Sequence, residues 1–216
     1  MGNFDQLVTV ISLSMGVAWA SGINLYAALL TLGVLANTGN IVLPEQLEIV
    51  ANPLVMTTAG IMYVVEFFAD KIPGVDTLWD ALQSFVRIPG GAILAAAAIG
   101  DVTPAAQMSA AILGGGLTAA THATKAGSRV MINTSPEPVS NWGASLGEDV
   151  VVVGGLWAAL NHPYIFLGLL LLFIVLMAWL LPKLWRGVSM VAAKIGALFG
   201  RTSKQSAIVK ADNDRE

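Results

Sequence analysis

The sequence predicts an all-α, polytopic helical membrane protein with about six transmembrane segments, each near the length a bilayer needs, some of them broken or kinked. Three observations predict it: the chain is too apolar for a soluble fold, its apolar stretches have bilayer length, and its basic residues fall on alternate connectors. Of 216 residues, 56% are hydrophobic and 12% charged, with a mean hydropathy of +0.72. Ordinary soluble domains carry about twice that charged fraction, and lipid removes the need for it. The net charge of −3 and the lack of a basic patch argue against nucleic acid as a partner. There is no cysteine, so disulfides and thiolate metal sites are excluded. The N-terminus has no Lys or Arg ahead of its apolar run, although Ala18-Trp19-Ala20-Ser21 has the composition of a cleavage site; a membrane segment is expected over a signal peptide. Gln6 stands where myristoylation wants Ser or Thr.

The first segment, Leu7 to Leu35, exceeds the roughly 20 residues of a crossing, so it tilts or breaks at Ser21-Gly22, with Asn24 and Tyr26 as polar groups near mid-depth. After the turn Asn37-Thr38-Gly39-Asn40 comes an acidic connector with Glu45 and Glu48. Asn52-Pro53 opens a second segment to Phe68, with Pro53 suited to a first helical turn. Pro73-Gly74 breaks the chain. From Val75 a helix places Leu78, Leu82, Phe85 and Val86 on one side and Asp76, Asp80 and Gln83 on the other. A second break is expected at Pro89-Gly90-Gly91, making the third crossing a kinked or re-entrant unit completed by Ala92 to Ile99. Asp101 to Pro104 is a turn. Ala105 to Ile132 is a fourth segment, rich in the small residues that allow close helix contact. Pro136 and Pro138 interrupt helix between Asn133 and Asn141. Trp142 to Leu160 and Tyr164 to Leu181 are the fifth and sixth segments, separated by Asn161-His162-Pro163. The domain reading is a transmembrane region 1–182, an interfacial amphipathic helix 183–199 and a disordered cytoplasmic tail 200–216. Similar spacings, Gly22 to Gly33 with Gly116 to Gly127 and Asn52 to Pro73 with Asn141 to Pro163, suggest an inverted repeat of three plus three segments.

Connectors 37–52, 101–104 and 161–163 hold no Lys or Arg, whereas Lys71, Arg87, Lys125, Arg129 and the basic C-terminal region fall on the other side. The positive-inside rule then puts both termini in the cytoplasm of a multi-pass inner-membrane protein. Ionisable groups within such segments are the candidate site, because charge in lipid must face protein or water. Glu66 and Asp70 share a helix face, with Lys71 adjacent. His122, Lys125 and Arg129 form a stripe on the fourth segment, and Glu148 and Asp149 sit within the fifth. The economical arrangement sets the stripe opposite Glu66 and Asp70, or opposite Glu148 and Asp149, with Asn24, Asp76, Asp80, Arg87, Glu137 and Asn141 completing a polar pathway toward the cytoplasmic half of the bundle. Carboxylates and a histidine relay protons or bind a cation; Lys125 and Arg129 suit an anionic group. The competing reading makes the same residues interhelical salt bridges and interfacial anchors.

At Ala20 to Tyr26, at Glu66 to Pro73 with Asp76 and Trp79-Asp80, and at Ser135 to Pro138 with Ser140-Asn141, the chain resembles a bacterial membrane family catalogued as domain of unknown function 4126. The resemblance covers roughly residues 10–180. It implies a polytopic membrane protein and supplies no reaction. No Ser-His-Asp set, zinc-spaced histidines or nucleotide loop accompanies it, so neither an enzyme nor a cofactor or metal is expected. The leading reading is a small transporter or channel for a small ion or anionic solute, with the bilayer and, through the Gly-rich fourth segment, a second copy as partners. The alternative is a non-transporting scaffold or lipid-binding protein; an enzyme acting on lipid headgroups is a weaker third.

Overall fold

The structure, a computed structural model, describes residues 2–72, 74–133 and 138–213, with backbone alone for 138, 139, 141, 191, 192 and 194–213. Glu137 and Pro73 lie outside the described residues, as does the side chain of Asn141, whose backbone belongs to α5. Six helices follow in order: α1 (Asn3–Asn37), α2 (Pro53–Ala69), α3 (Val75–Ala98), α4 (Pro104–Ile132), α5 (Pro138–Asn161) and α6 (Pro163–Asn213), with a 3₁₀ turn at Glu45–Ala51 before α2. No strand occurs among the described residues. Helices α1, α3, α5 and α6 are long and apolar enough to cross a membrane, and the 3₁₀ turn with α2, bent by 60°, makes a fifth candidate span.

Local sequence sets most of these boundaries. Asn52 caps α2, its side chain accepting from Leu54 N at 2.9 Å, and Pro53 follows in the first turn, where its missing N–H is harmless. Thr103 and Pro104 repeat the device on α4. Among the described residues α5 is already helical at Pro138, three residues before Asn141. Gly100, with φ of +79°, turns the chain between α3 and α4. Helix α6 passes through Pro182 and keeps helical backbone to Asn213.

Helix α1 is the central helix and touches the other five. Small polar side chains tie it in through carbonyls: Ser12 Oγ to Ala159 O, Ser14 Oγ to Ala95 O and Thr118 Oγ1 to Ala18 O, each 2.8 Å. The break expected at Ser21-Gly22 falls instead at Asn24, where φ is −149° and ψ 99°. Gly22 serves close approach: a Cβ there would lie 2.6 Å from Thr121 Cβ. Pro89-Gly90-Gly91 does not break α3 either. A Cβ on Gly91 would meet Thr118 Oγ1 at 2.1 Å, so that glycine exists for contact with α4 rather than for a turn.

The amphipathicity of α3 is inside-out. Asp76, Asp80, Gln83 and Arg87 are buried, whereas Phe85 is 82% exposed and Leu78 63%. The outside of the bundle carries Leu54, Ile61, Ile93, Ile112, Val150 and Leu171, all strongly exposed. A surface of this kind in water would be a large unpaired apolar patch; in a bilayer it matches its solvent.

Candidate functional site

The break in α1 creates the site. Asn24 leaves helical geometry, and its Oδ1 accepts from Ala27 N at 3.0 Å, capping the second half of the helix. The carbonyl of Ile23 is freed at the end of the first half and takes Lys125 Nζ at 3.0 Å. Asn24 Nδ2 donates to Asp149 Oδ1 at 3.1 Å, and Tyr63 Oη donates to Asp149 Oδ2 at 2.7 Å.

Around this break four helices bring together the ionisable groups the sequence singles out. Arg87 of α3 is fully buried, pairs through Nη2 with Glu66 of α2 and donates through Nη1 to Asp80 Oδ1 at 3.3 Å. Lys125 of α4 lies 3.2 Å from Glu66 Oε1, Asp70 Oδ2 and Glu148 Oε2, and 3.8 Å from Asp80 Oδ1. Arg129 forks onto Glu148, Nε to Oε1 at 3.1 Å and Nη2 to Oε2 at 2.8 Å, and also reaches Asp70 Oδ2 at 3.3 Å. This planar two-point grip is the geometry guanidinium favours. Arg87 Nη1 lies 3.2 Å from His122 Nδ1. Arginine has no acceptor, so Nδ1 accepts; the ring proton sits on Nε2, facing Asp80 O at 2.9 Å and Ser84 Oγ at 2.8 Å, and the imidazole is neutral.

The cluster is not fully satisfied. Glu66 Oε2, Asp70 Oδ1, Asp80 Oδ2 and Arg87 Nε are buried without a partner among the described residues. Charge is also uneven: Glu66, Asp70, Asp80 and Glu148 face Arg87, Lys125 and Arg129, four carboxylates against three cations.

A family described as Domain of unknown function (DUF4126) matches residues 11–183, which include every group of this cluster. The chain belongs to that family. No curated protein and no solved structure matches it. In this DUF4126 chain, two of the expected site residues stand apart from the cluster. Asp76 accepts from Gly74 N, Thr77 N and Asn133 Nδ2, locking the start of α3 to the end of α4. Lys71 donates to Phe67 O at 2.9 Å and lies over the Phe67 ring, 2.8 Å from its centroid, with Trp142 at 4.8 Å. Burial lowers the pKa of Lys71, against the pull of Asp149 and Asp70. Asp76 is thus held by its own turn and by Asn133, and Lys71 by Phe67 and Trp142.

The DUF4126 cluster opens onto a cleft. A cleft of about 210 Å³ between α1, α4, α5 and α6 reaches Lys125 and Glu148 and is edged by Thr121, Thr124 and Ser128. Glu148 is partly exposed there, whereas Glu66 is sealed. Two apolar clefts, of about 280 and 350 Å³, touch none of these charges. Tyr63, Ser84, the Ile23 carbonyl and the three cleft hydroxyls are the participants sequence reasoning missed. Tyr63 had a signal, since it stands three residues before Glu66 on the same helical face.

Proposed function

We propose that the chain is a small membrane transporter whose solute or ion site is the charge cluster at the break in α1. One observation carries this reading: an interrupted helix inside the bundle presents a free carbonyl to a buried cluster that a polar-edged cleft reaches. Discontinuous helices line binding sites in many transporters, and ionisable groups at membrane depth are costly unless they serve one.

In this reading there are six crossings. Helix α4 is the sixth: its 29 residues make about 43 Å of helix, its basic side chains turn inward, and Met108, Ile112 and Leu113 face out. The halves are then α1–α3 and α4–α6, with opposite orientation. Arg87, Lys125 and Arg129 are neutralised inside the bundle, so the orientation rests on Lys71, Lys183, Arg186 and the basic residues beyond them. They favour an inner membrane with both termini cytoplasmic.

The test is flux in proteoliposomes across inorganic ions, organic anions and cationic solutes, for the wild type, Glu66→Gln and Glu148→Gln. The reading expects at least one solute to move and both variants to slow it. No flux for any solute, or unchanged flux in both variants, removes it. The scaffold reading draws support from a different observation, the pairing of all three cations with Glu66 and Arg87 wholly buried. It expects no flux and little loss of stability when both members of a pair are removed together.

A further inference from the structure

The ammonium of Lys125 has more oxygen around it than it can bind. It carries three N–H donors. Five oxygens surround it: Ile23 O at 3.0 Å, Glu66 Oε1, Asp70 Oδ2 and Glu148 Oε2 at 3.2 Å, and Asp80 Oδ1 at 3.8 Å. They come from α1, α2, the turn after α2, α3 and α5, so no single helix accounts for their convergence. A freed main-chain carbonyl beside carboxylates is the donor set of hard cations. Among the described residues no three His, Asp or Glu side chains are arranged to hold a metal ion as the chain stands; they are arranged around an ammonium instead.

We infer that the oxygens around Lys125 form a binding cage for one small monovalent cation, and that the Lys125 ammonium fills it as a tethered replacement. Ammonium and potassium are close in size and equal in charge, so one substitutes for the other without rebuilding the cage. Two further observations point the same way. Glu66 Oε2, Asp70 Oδ1 and Asp80 Oδ2 are buried without partners and remain available to a cation. Thr121, 2% exposed, has a hydroxyl without a partner and lines the cleft that leads to Lys125. The inference rests on reading the cluster as the site and goes further: the site carries its own cation and takes no free alkali ion while Lys125 is in place.

The experiment compares the thermal unfolding of full-length wild type and Lys125→Ala in detergent, followed by tryptophan fluorescence. Buffers contain potassium, sodium, methylammonium, calcium or N-methylglucamine chloride at equal ionic strength. The wild type is expected to unfold at one temperature in all of them. Lys125→Ala is expected to rise by about 5–10 °C in potassium, sodium or methylammonium over N-methylglucamine, at about a hundredfold excess over the dissociation constant. A folded variant indifferent to the cation overturns the inference. So does a wild type that responds as strongly as the variant, and so does stabilisation by calcium alone. If Lys125→Ala does not fold in N-methylglucamine, monodisperse yield gives the same reading: recovery in the monovalent cations supports the cage, and failure in all of them overturns it. The readout needs no flux. A cation-responsive variant of a chain that moves no solute keeps the cage and loses the transport reading; the reverse result keeps transport and loses the cage.

Discussion

Replacing Arg87 with leucine tests the cluster as a unit. Arg87 is wholly buried, and its guanidinium is shared by Glu66, Asp80 and His122. Without it Glu66 keeps only Lys125, at 3.2 Å, and Asp80 Oδ1 keeps the same ammonium at 3.8 Å. Four carboxylates would then face two cations in a low-dielectric interior. Breaking a buried pair by removing one partner destabilises by about 3–5 kcal/mol. For a chain of this size each kcal/mol shifts the unfolding midpoint by about 2–4 °C, so Arg87→Leu is predicted to melt about 10 °C early. Glu66→Leu with Arg87→Leu removes both charges and leaves an apolar gap of similar volume. The double variant is predicted to be more stable than the sum of the single effects by at least about 2 kcal/mol. Thermal and denaturant unfolding in detergent, followed by the six tryptophans, measures both quantities. An Arg87→Leu protein within about 1 kcal/mol of wild type would refute the reasoning, because a buried, shared guanidinium cannot be that dispensable.

Other predictions use the same measurement. Asn24→Ala removes the cap on Ala27 N and a donor to Asp149, and should cost about 1–3 kcal/mol; an effect under about 0.5 kcal/mol would mean that the break is not held by this side chain. Tyr63→Phe leaves Asp149 Oδ2 without its donor and should destabilise by about 1–3 kcal/mol, whereas a neutral result would show that water replaces the phenol. Gly91→Ala, whose Cβ would sit 2.1 Å from Thr118 Oγ1, should destabilise by about 1–3 kcal/mol. Gly116→Ala meets nothing within 4 Å and should be neutral or stabilising by up to about 1 kcal/mol; the opposite ranking of the two glycines would reject the α3–α4 packing.

Much of the fold is legible because lipid simplifies the code. Apolar length gives the helices, and Asn52-Pro53 and Thr103-Pro104 announce their starts. That Lys125 and Arg129 face carboxylates of other helices is also legible, since charge at membrane depth has few places to go, although the sequence does not say that Glu66 and Asp70 and also Glu148 are engaged at once. Glycine is where sequence misleads. Gly22 and Gly91 read as breaks by propensity, yet each is there so that a threonine of α4 can approach. The actual break needs only the Asn24 side chain to stand in for a helical hydrogen bond, a choice propensity does not reveal. Asp76 and Lys71 stand apart from the cluster for a related reason. Neighbours on a chain leave it in different directions: Asp76 captures the N–H groups of its own turn, and Lys71, next to Asp70, captures an aromatic ring. The role of the Ile23 carbonyl has no signal in the sequence, because every residue has a carbonyl and only the fold frees this one.

In the proposed reading, solutes reach the charge cluster through the cleft between α1, α4, α5 and α6. The chain has no cysteine, so single cysteines can be placed without further engineering. Thr124→Cys and Ser128→Cys line the cleft, whereas Leu113→Cys lies on the outer face of α4. The decisive measurement is labelling of these three proteins in membrane vesicles with a charged, membrane-impermeant thiol reagent. Rapid modification is expected at 124 and 128, and protection at 113. Protection at 124 and 128 in the folded protein, with modification only after denaturation, would contradict it and leave the cluster as a sealed structural core.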